Sequence, residues 1–230
     1  SGSGRDPQFP EIVTASRADL VTGAQNVREK SAEAGGCGVV GFAATVPVRG
    51  RHIFEPSIQM HNRGNGKGGG IAAASLQPED LGVDAATLKN DYILQIALID
   101  PAAEREVEEF GIAPWLTVEH KTRIQPVANH RDVGLEVKPP DIVRYFVRGK
   151  DNVLTKFAKE HGLGKSDRRL VEDEFIFRNS FQINRRFYAS LGDKRAFVLS
   201  HARDLVIFKI VGYAAQVVKY YGLNDMRAKI

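Results

Sequence analysis

With 230 residues, 43% of them hydrophobic and 26% charged, the chain can bury one large core or a core carrying an inserted subdomain. Its formal charge of +4 is dispersed among acids, as in "AAEREVEEF" beside "VRYFVRGK", which suits a solvated surface and argues against a nucleic-acid stripe. The single cysteine excludes an internal disulfide framework and no apolar run approaches the ~18 residues of a membrane span, so a cytoplasmic location is expected.

Residues 1–36 are polar and poor in large apolar side chains, apart from a short helix expected around Ser16 to Ala34, and read as a leader or propeptide-like segment. From Cys37 the texture changes. "CGVVGFAATV" is apolar at alternating and intervening positions alike, the pattern of a strand covered on both faces. "EPSIQMHN" suits a short helix, and "RGNGKGGG" places five glycines in eight residues before a small-residue strand, "IAAAS".

The middle section, 81–185, reads as a unit of its own. "DYILQIALID" is a strand, and "PAAEREVEEFG" a helix with Pro101 in its first turn and Gly111 at its stop. "WLTVEHKTRIQPV" alternates like a half-exposed strand, and "GLEVKPPDIVRYFVRG" gives another interrupted by Pro139-Pro140. "KDNVLTKFAKEHGLG" is an amphipathic helix ended by Gly162, and "EDEFIFRNSFQINRRFYAS" returns to strand character. The succession β-α-β-β-α-β predicts a ferredoxin-like subdomain. After it, "RAFVLS", a turn at "HARD" and "LVIFKIVG" predict a hairpin. A helix "YAAQVVKYYG" follows, and a further strand begins at "AKI", as if the chain were C-terminally truncated.

The glycine run fails as a phosphate-binding P-loop: Gly66-Lys67 is followed by Gly68, with no hydroxyl for magnesium, and His61 stands where the first glycine belongs. It fails as a dinucleotide fingerprint because a strand, not a helix, follows it. Six scattered histidines and one cysteine offer no metal-ligand spacing. Cys37 remains. A thiol acts as a nucleophile in its thiolate form and needs a base; if the chain were cut between Gly36 and Cys37, the new α-amine on the same residue would supply one. Its reference pKa of about 7.7–8.0 lies close to the pH at which a general base works best. Gly38 would let a ligand approach the backbone.

"CGVVGF" followed after about twenty residues by "MHNRGNGKGGGIAA" resembles the opening of class II glutamine amidotransferase domains, which are N-terminal-nucleophile hydrolases, and is most similar to the stand-alone amidotransferase subunit of archaeal-type glutamate synthases. "FVLSHARDLVIFKIVG" and the helix after it resemble the same family's next block. The resemblance implies an α+β fold, a partial αββα sandwich built from 37–80 and 186–230 around the 81–185 insert. It implies that Cys37 attacks the side-chain amide of L-glutamine, that a γ-glutamyl thioester forms and ammonia leaves, and that water then releases glutamate. Arg63 and Gly64 match the Arg-Gly beside the nucleophile, with Gly38 close by; Asn62 stands where the family carries a histidine. The ammonia would pass to a glutamate synthase-type partner, with flavin and iron–sulfur centres on that partner and no cofactor, metal, nucleic acid or membrane for this chain.

The family's glutamine-carboxylate arginine and its Asn-Gly oxyanion donors have no counterpart in these residues. Losing one such donor typically costs ~10²–10³ in rate, so little turnover is expected from this chain alone. The alternative is a non-catalytic amidotransferase-like scaffold or regulatory subunit. A third idea, an RNA platform at "VRYFVRG", fails because adjacent Tyr145 and Phe146 must point to opposite faces of a strand, which leaves Arg144 and Arg148 beside one ring per face; a core strand fits better.

Overall fold

The structure, a computed structural model, describes residues 9–17, 38–58, 66–189 and 192–228. In chain order the elements are α1 (Phe9–Arg17), β1 (Val48–Arg49), α2 (Arg51–Ile58), β2 (Gly69–Ala74), α3 (Pro78–Leu81), α4 (Ala85–Asn90), β3 (Tyr92–Leu98), α5 (Ala103–Val107), β4 (Leu116–Arg123), β5 (Asp141–Gly149), α6 (Asp151–Glu160), α7 (Arg168–Phe187), β6 (Ala196–Ala202), β7 (Leu205–Ile210), α8 (Ala214–Tyr221) and β8 (Arg227–Ala228). The class is α+β with antiparallel sheets.

The main sheet has four strands in the spatial order β4-β5-β3-β6, every neighbouring pair antiparallel. Central β3 is buried along all seven residues, whereas edge strand β4 is largely exposed. Alternation sorts side chains to two faces. Tyr92, Leu94, Ile96 and Leu98 of β3, with Val143, Tyr145 and Val147 of β5, share one core with Leu154 and Phe157 of α6 and Val171, Phe175, Ile183 and Phe187 of α7. Ile93, Ala97, Ile142 and Phe146 share the other with Ala73 of β2, Val206, Phe208 and Ile210 of β7, and Val217, Val218, Tyr220 and Tyr221 of α8. Tyr145 and Phe146 thus lie in opposite cores, as their adjacency requires.

The strand–helix–strand–strand–helix–strand succession expected of the insert is present, but its last strand lies elsewhere. Residues 172–190, expected as a strand, fall mostly within helix α7, Arg168–Phe187. Local runs such as "FIF" imitate strand alternation, yet Val171, Phe175, Asn179, Ile183 and Phe187 are buried at a strict four-residue spacing, and Asp167 caps the first turn through the Arg169 amide at 2.8 Å. The fourth strand of the sheet is β6, which pairs with β3.

This also undoes the expected hairpin. β6 pairs with β3 and β7 pairs with β2, so the two strands part at Arg203-Asp204 into different sheets. Asp204 has φ of 49°, and its carboxylate accepts the Leu76 amide at 2.7 Å, tying that corner to the end of β2.

Residues 38–47, the described part of the strand expected from Cys37, adopt no regular structure, and Val39 is 89% exposed. Apolar composition alone does not make a strand; it needs a partner edge, and among the described residues none pairs there. The strand that does form, β1, is two residues long and pairs with β8. Part of the expected leader is ordered against the core. Phe9, Ile12 and Val13 form one stripe of α1 on the α7 side, upstream of the helix expected from Ser16; residues 18–34 lie outside the described set.

Candidate functional site

Of the residues expected at the thiol site, Gly38 is described; Cys37, Arg63 and Gly64 lie outside the described residues. The end of the glycine run is described, and it shows why these positions hold glycine. Gly66 has φ of 69°, a left-handed conformation, and an added Cβ would meet the Tyr213 ring at 3.1 Å. At Gly69 a Cβ would lie 2.6 Å from the Gly212 carbonyl and 2.7 Å from the Ala214 amide nitrogen. The loop is laid directly on the backbone between β7 and α8.

That contact joins segments far apart in sequence. β2 pairs with β7 over six residues, from Gly69 opposite Ile210 to Ala74 opposite Leu205. β1 pairs with β8, and Leu76 bridges to Ala228. Beside the loop is a cleft of about 430 Å³ lined by Gly66, Lys67, Leu135, Gly212, Tyr213 and Gln216. Gln216 braces it, accepting the Tyr213 amide at 2.8 Å and donating to the Gly134 carbonyl at 2.7 Å.

Two further polar pairs, one half-buried and one in the core, escaped the sequence reading. His201 of β6 holds its Nδ1 2.9 Å from the Ser180 hydroxyl of α7. The pair has the composition of a nucleophile and its base, but burial pulls the His201 pKa down to about 3. Such an imidazole is a poor base at neutral pH, Ser180 also bonds the Ile176 carbonyl at 3.0 Å, and the carboxylate of Asp173 goes to Tyr92 instead. The geometry describes a packed histidine. The second group is Gln95 of β3 with Arg144 of β5, directly opposite each other. Arg144 Nε donates to Gln95 Oε1 at 2.9 Å, and Gln95 Nε2 donates to the Ile207 carbonyl of β7 at 2.7 Å. Their signal was available: both interrupt apolar runs at positions in phase with Ile93 and Phe146.

Among the described residues no group of three His, Cys, Asp or Glu side chains is placed to hold a metal ion, and no helix is long and apolar enough to cross a membrane.

No protein-family profile matches the chain. It is 27% identical over 194 residues to an uncharacterized protein of Archaeoglobus fulgidus. The match takes in 82% of this chain and 43% of the relative, so the chain spans less than half the length of the protein it resembles.

Proposed function

We propose that the chain is part of a class II glutamine amidotransferase in which Cys37 is the nucleophile. The thiol adds to the side-chain carbonyl of L-glutamine, the nitrogen leaves as ammonia with the proton shuttled by the freed α-amine, and water cleaves the γ-glutamyl thioester. One observation carries the reading. The two sequence blocks that resemble the family, 37–76 and about 187–229, fold on each other through the β2–β7 ladder, with Gly69 against 212–214. Blocks that belong to one site are expected to meet in this way, although some hundred residues of other sheet separate them. Arg63, Gly64 and Gly38 flank the thiol in this reading. In this reading the 81–185 insert supplies β3, β4 and β5 of the four-stranded sheet, β6 joins it from the second block, and the β2–β7 ribbon is part of the αββα sandwich. The ammonia goes to a cytoplasmic synthase-type partner that carries flavin and iron–sulfur centres.

One observation favours the second reading, a non-catalytic scaffold. α1 is docked in the core, which suits a leader that is kept. N-terminal sequencing and mass spectrometry separate the two. The amidotransferase reading expects chains that begin at Cys37 and a γ-glutamyl adduct on that residue after incubation with L-glutamine, absent from Cys37→Ala. Chains that retain residues 1–36 and never acquire the adduct would refute it, because an acylated backbone nitrogen cannot act as a base.

A further inference from the structure

Five charged side chains are buried among the described residues, and four are matched by an opposite charge. Arg178 meets Glu174 at 3.2 Å, Glu172 meets Arg203 at 3.0 Å, and Asp91 meets Arg148 at 3.1 Å. Arg144 is 5% exposed and, among the described residues, has no carboxylate partner; the side-chain hydrogen bond it makes there is from Nε to the Gln95 amide oxygen. Burial lowers its pKa to about 10, which leaves it charged at neutral pH. A cation taken out of water without an opposite charge is costly to keep, and a packed apolar side chain would serve the fold better. Such a group is expected where something else supplies the charge.

Among the described residues its terminal nitrogens, Nη1 and Nη2, have no hydrogen-bond partner, and they are not sealed in the interior. Arg144 instead lines a cleft of about 390 Å³ together with Thr122, Gln125 and Tyr221. The Tyr221 hydroxyl is enclosed and also lacks a partner. The cleft therefore offers a guanidinium edge, with an unused hydroxyl donor packed behind its Tyr221 wall that reaches a ligand when the ring shifts, in a volume at the lower end of the range of small-molecule sites. The lining also includes Asp80, bonded to Arg227, and Asp225, bonded to Arg49 and Arg51. Both carboxylates are thus neutralised, and Arg123, also in the lining, is paired with Glu104 and Asp141; among the described residues Arg144 is the cation of the wall left without an opposite charge, which suits a ligand with a single negative charge better than a dianion such as phosphate.

We propose that this cleft is a binding site for a small monoanionic carboxylate of amino-acid size, whose carboxylate is held by the free edge of Arg144 and by the Tyr221 hydroxyl. The site lies between the β4–β5 side of the four-stranded sheet and the segment from α8 to β8, and does not depend on the thiol chemistry. Through Gln95 and the Ile207 carbonyl, the residue that holds the ligand is bonded to β7, the strand that pairs with β2.

Calorimetric titration of the 230-residue chain carrying Cys37→Ala, with L-glutamate, L-glutamine, acetate and inorganic phosphate as probes, tests this without reading turnover. At least one amino acid should bind with Kd of about 1 mM or tighter, with acetate and phosphate weaker. Arg144→Lys should weaken binding ~10-fold or more, because a point charge cannot offer the planar edge. Tyr221→Phe should weaken it ~3- to 10-fold. Arg144→Met should abolish binding while the chain melts no lower than the parent; if that variant does not fold, the lysine and phenylalanine variants decide. The proposal is overturned if no probe binds below about 10 mM, if phosphate binds tightest, or if Arg144→Lys and Tyr221→Phe leave the isotherm unchanged.

Discussion

Freeing the Cys37 amine removes a helix that the core uses, and the size of that loss follows from the contacts of α1. Glu174 of α7 has 1% of its side chain exposed and is gripped from two sides. Arg17 Nε lies 3.1 Å from both of its carboxylate oxygens, and Arg178 Nε lies 3.2 Å from one. The Arg17 guanidinium also stacks 3.8 Å from the centre of the Phe177 ring. A hydrogen bond to a charged group is worth ~1.5–3 kcal/mol, but the Arg17 side chain is 40% exposed, so screening reduces its pair to ~1–2 kcal/mol. Burial of Val13 adds ~1.5–3 kcal/mol. In the intact chain Arg17→Ala should therefore lower the melting temperature by ~2–8 °C, at ~2–4 °C per kcal/mol for a protein of this size. The decisive measurement is a cycle: Glu174→Gln in the intact chain and in a chain starting at Cys37, both followed by urea denaturation. The substitution damages the Arg178 contact in both, so the difference isolates the coupling to α1, which should be ~1–2 kcal/mol. A coupling below about 0.3 kcal/mol would refute the claim that α1 is clamped through Glu174.

Other outcomes follow from single groups. His201 is held neutral by burial, with its pKa pulled down to about 3, so the unfolded chain takes up its proton first on acidification. Stability should be intact above about pH 6.5 and fall as pH drops toward 3, and His201→Gln should flatten that part of the profile of melting temperature against pH. Asp91 behaves oppositely: desolvation, only partly offset by Arg148, raises its pKa to about 6. Its contribution is fully present below about pH 4 and is lost as pH rises through 6, so Asp91→Asn should gain ground on the parent between those values; equal pH profiles would count against a desolvated carboxylate. Gly69→Ala would push a Cβ to 2.6 Å from the Gly212 carbonyl, and backbone on both sides leaves it nowhere to go. A loss of ~1–3 kcal/mol in urea denaturation is expected, and a neutral result would mean that the glycine loop is laid more loosely than this.

Where the sequence pattern was long and singly periodic, it could be read directly. The seven buried residues of β3, the amphipathic α6 and the Gly222 stop of α8 followed from period, composition and a left-handed cap at φ of 66°. The failures have physical causes. α7 carries buried Glu172, Glu174, Arg178 and Asn179 on its inward side, which broke up its apolar stripe and left the aromatic alternation as the louder signal. Residues 38–47 have strand composition without a partner, and pairing is not written in a single segment. The hairpin misreading has the same origin: a two-residue turn between two strands predicts that they meet at the turn, but which edges they pair with is decided by β3 and β2, a hundred residues upstream. In the glycine run, the glycines could be read as places of close backbone approach, and Gly69 bears that out. Arg144 was visible only as one arginine of a basic-aromatic stretch, because what sets it apart is the lack of an acid within reach, a fact of tertiary packing.

The sharing of β6 changes what the middle section is. An insert with its own fourth strand would be a module hung on a completed core. Here β6 closes the four-stranded sheet on one side, and two residues later the chain enters β7, the partner of β2. Ile93, Ala97, Ile142 and Phe146 of that sheet fill the same core as Phe208 of β7 and Tyr221 of α8. Gln95 bonds to the Ile207 carbonyl across the junction. Removing the middle section would open that core and strip β6 of its ladder, at a cost well beyond the ~5–15 kcal/mol by which domains are stable. The glycine loop rests on Gly212 to Ala214, directly after β7, and β7 in turn packs its Phe208 into the core that the middle section fills. The four-stranded sheet and the β2–β7 ribbon are therefore parts of one core and not a module attached to a finished domain.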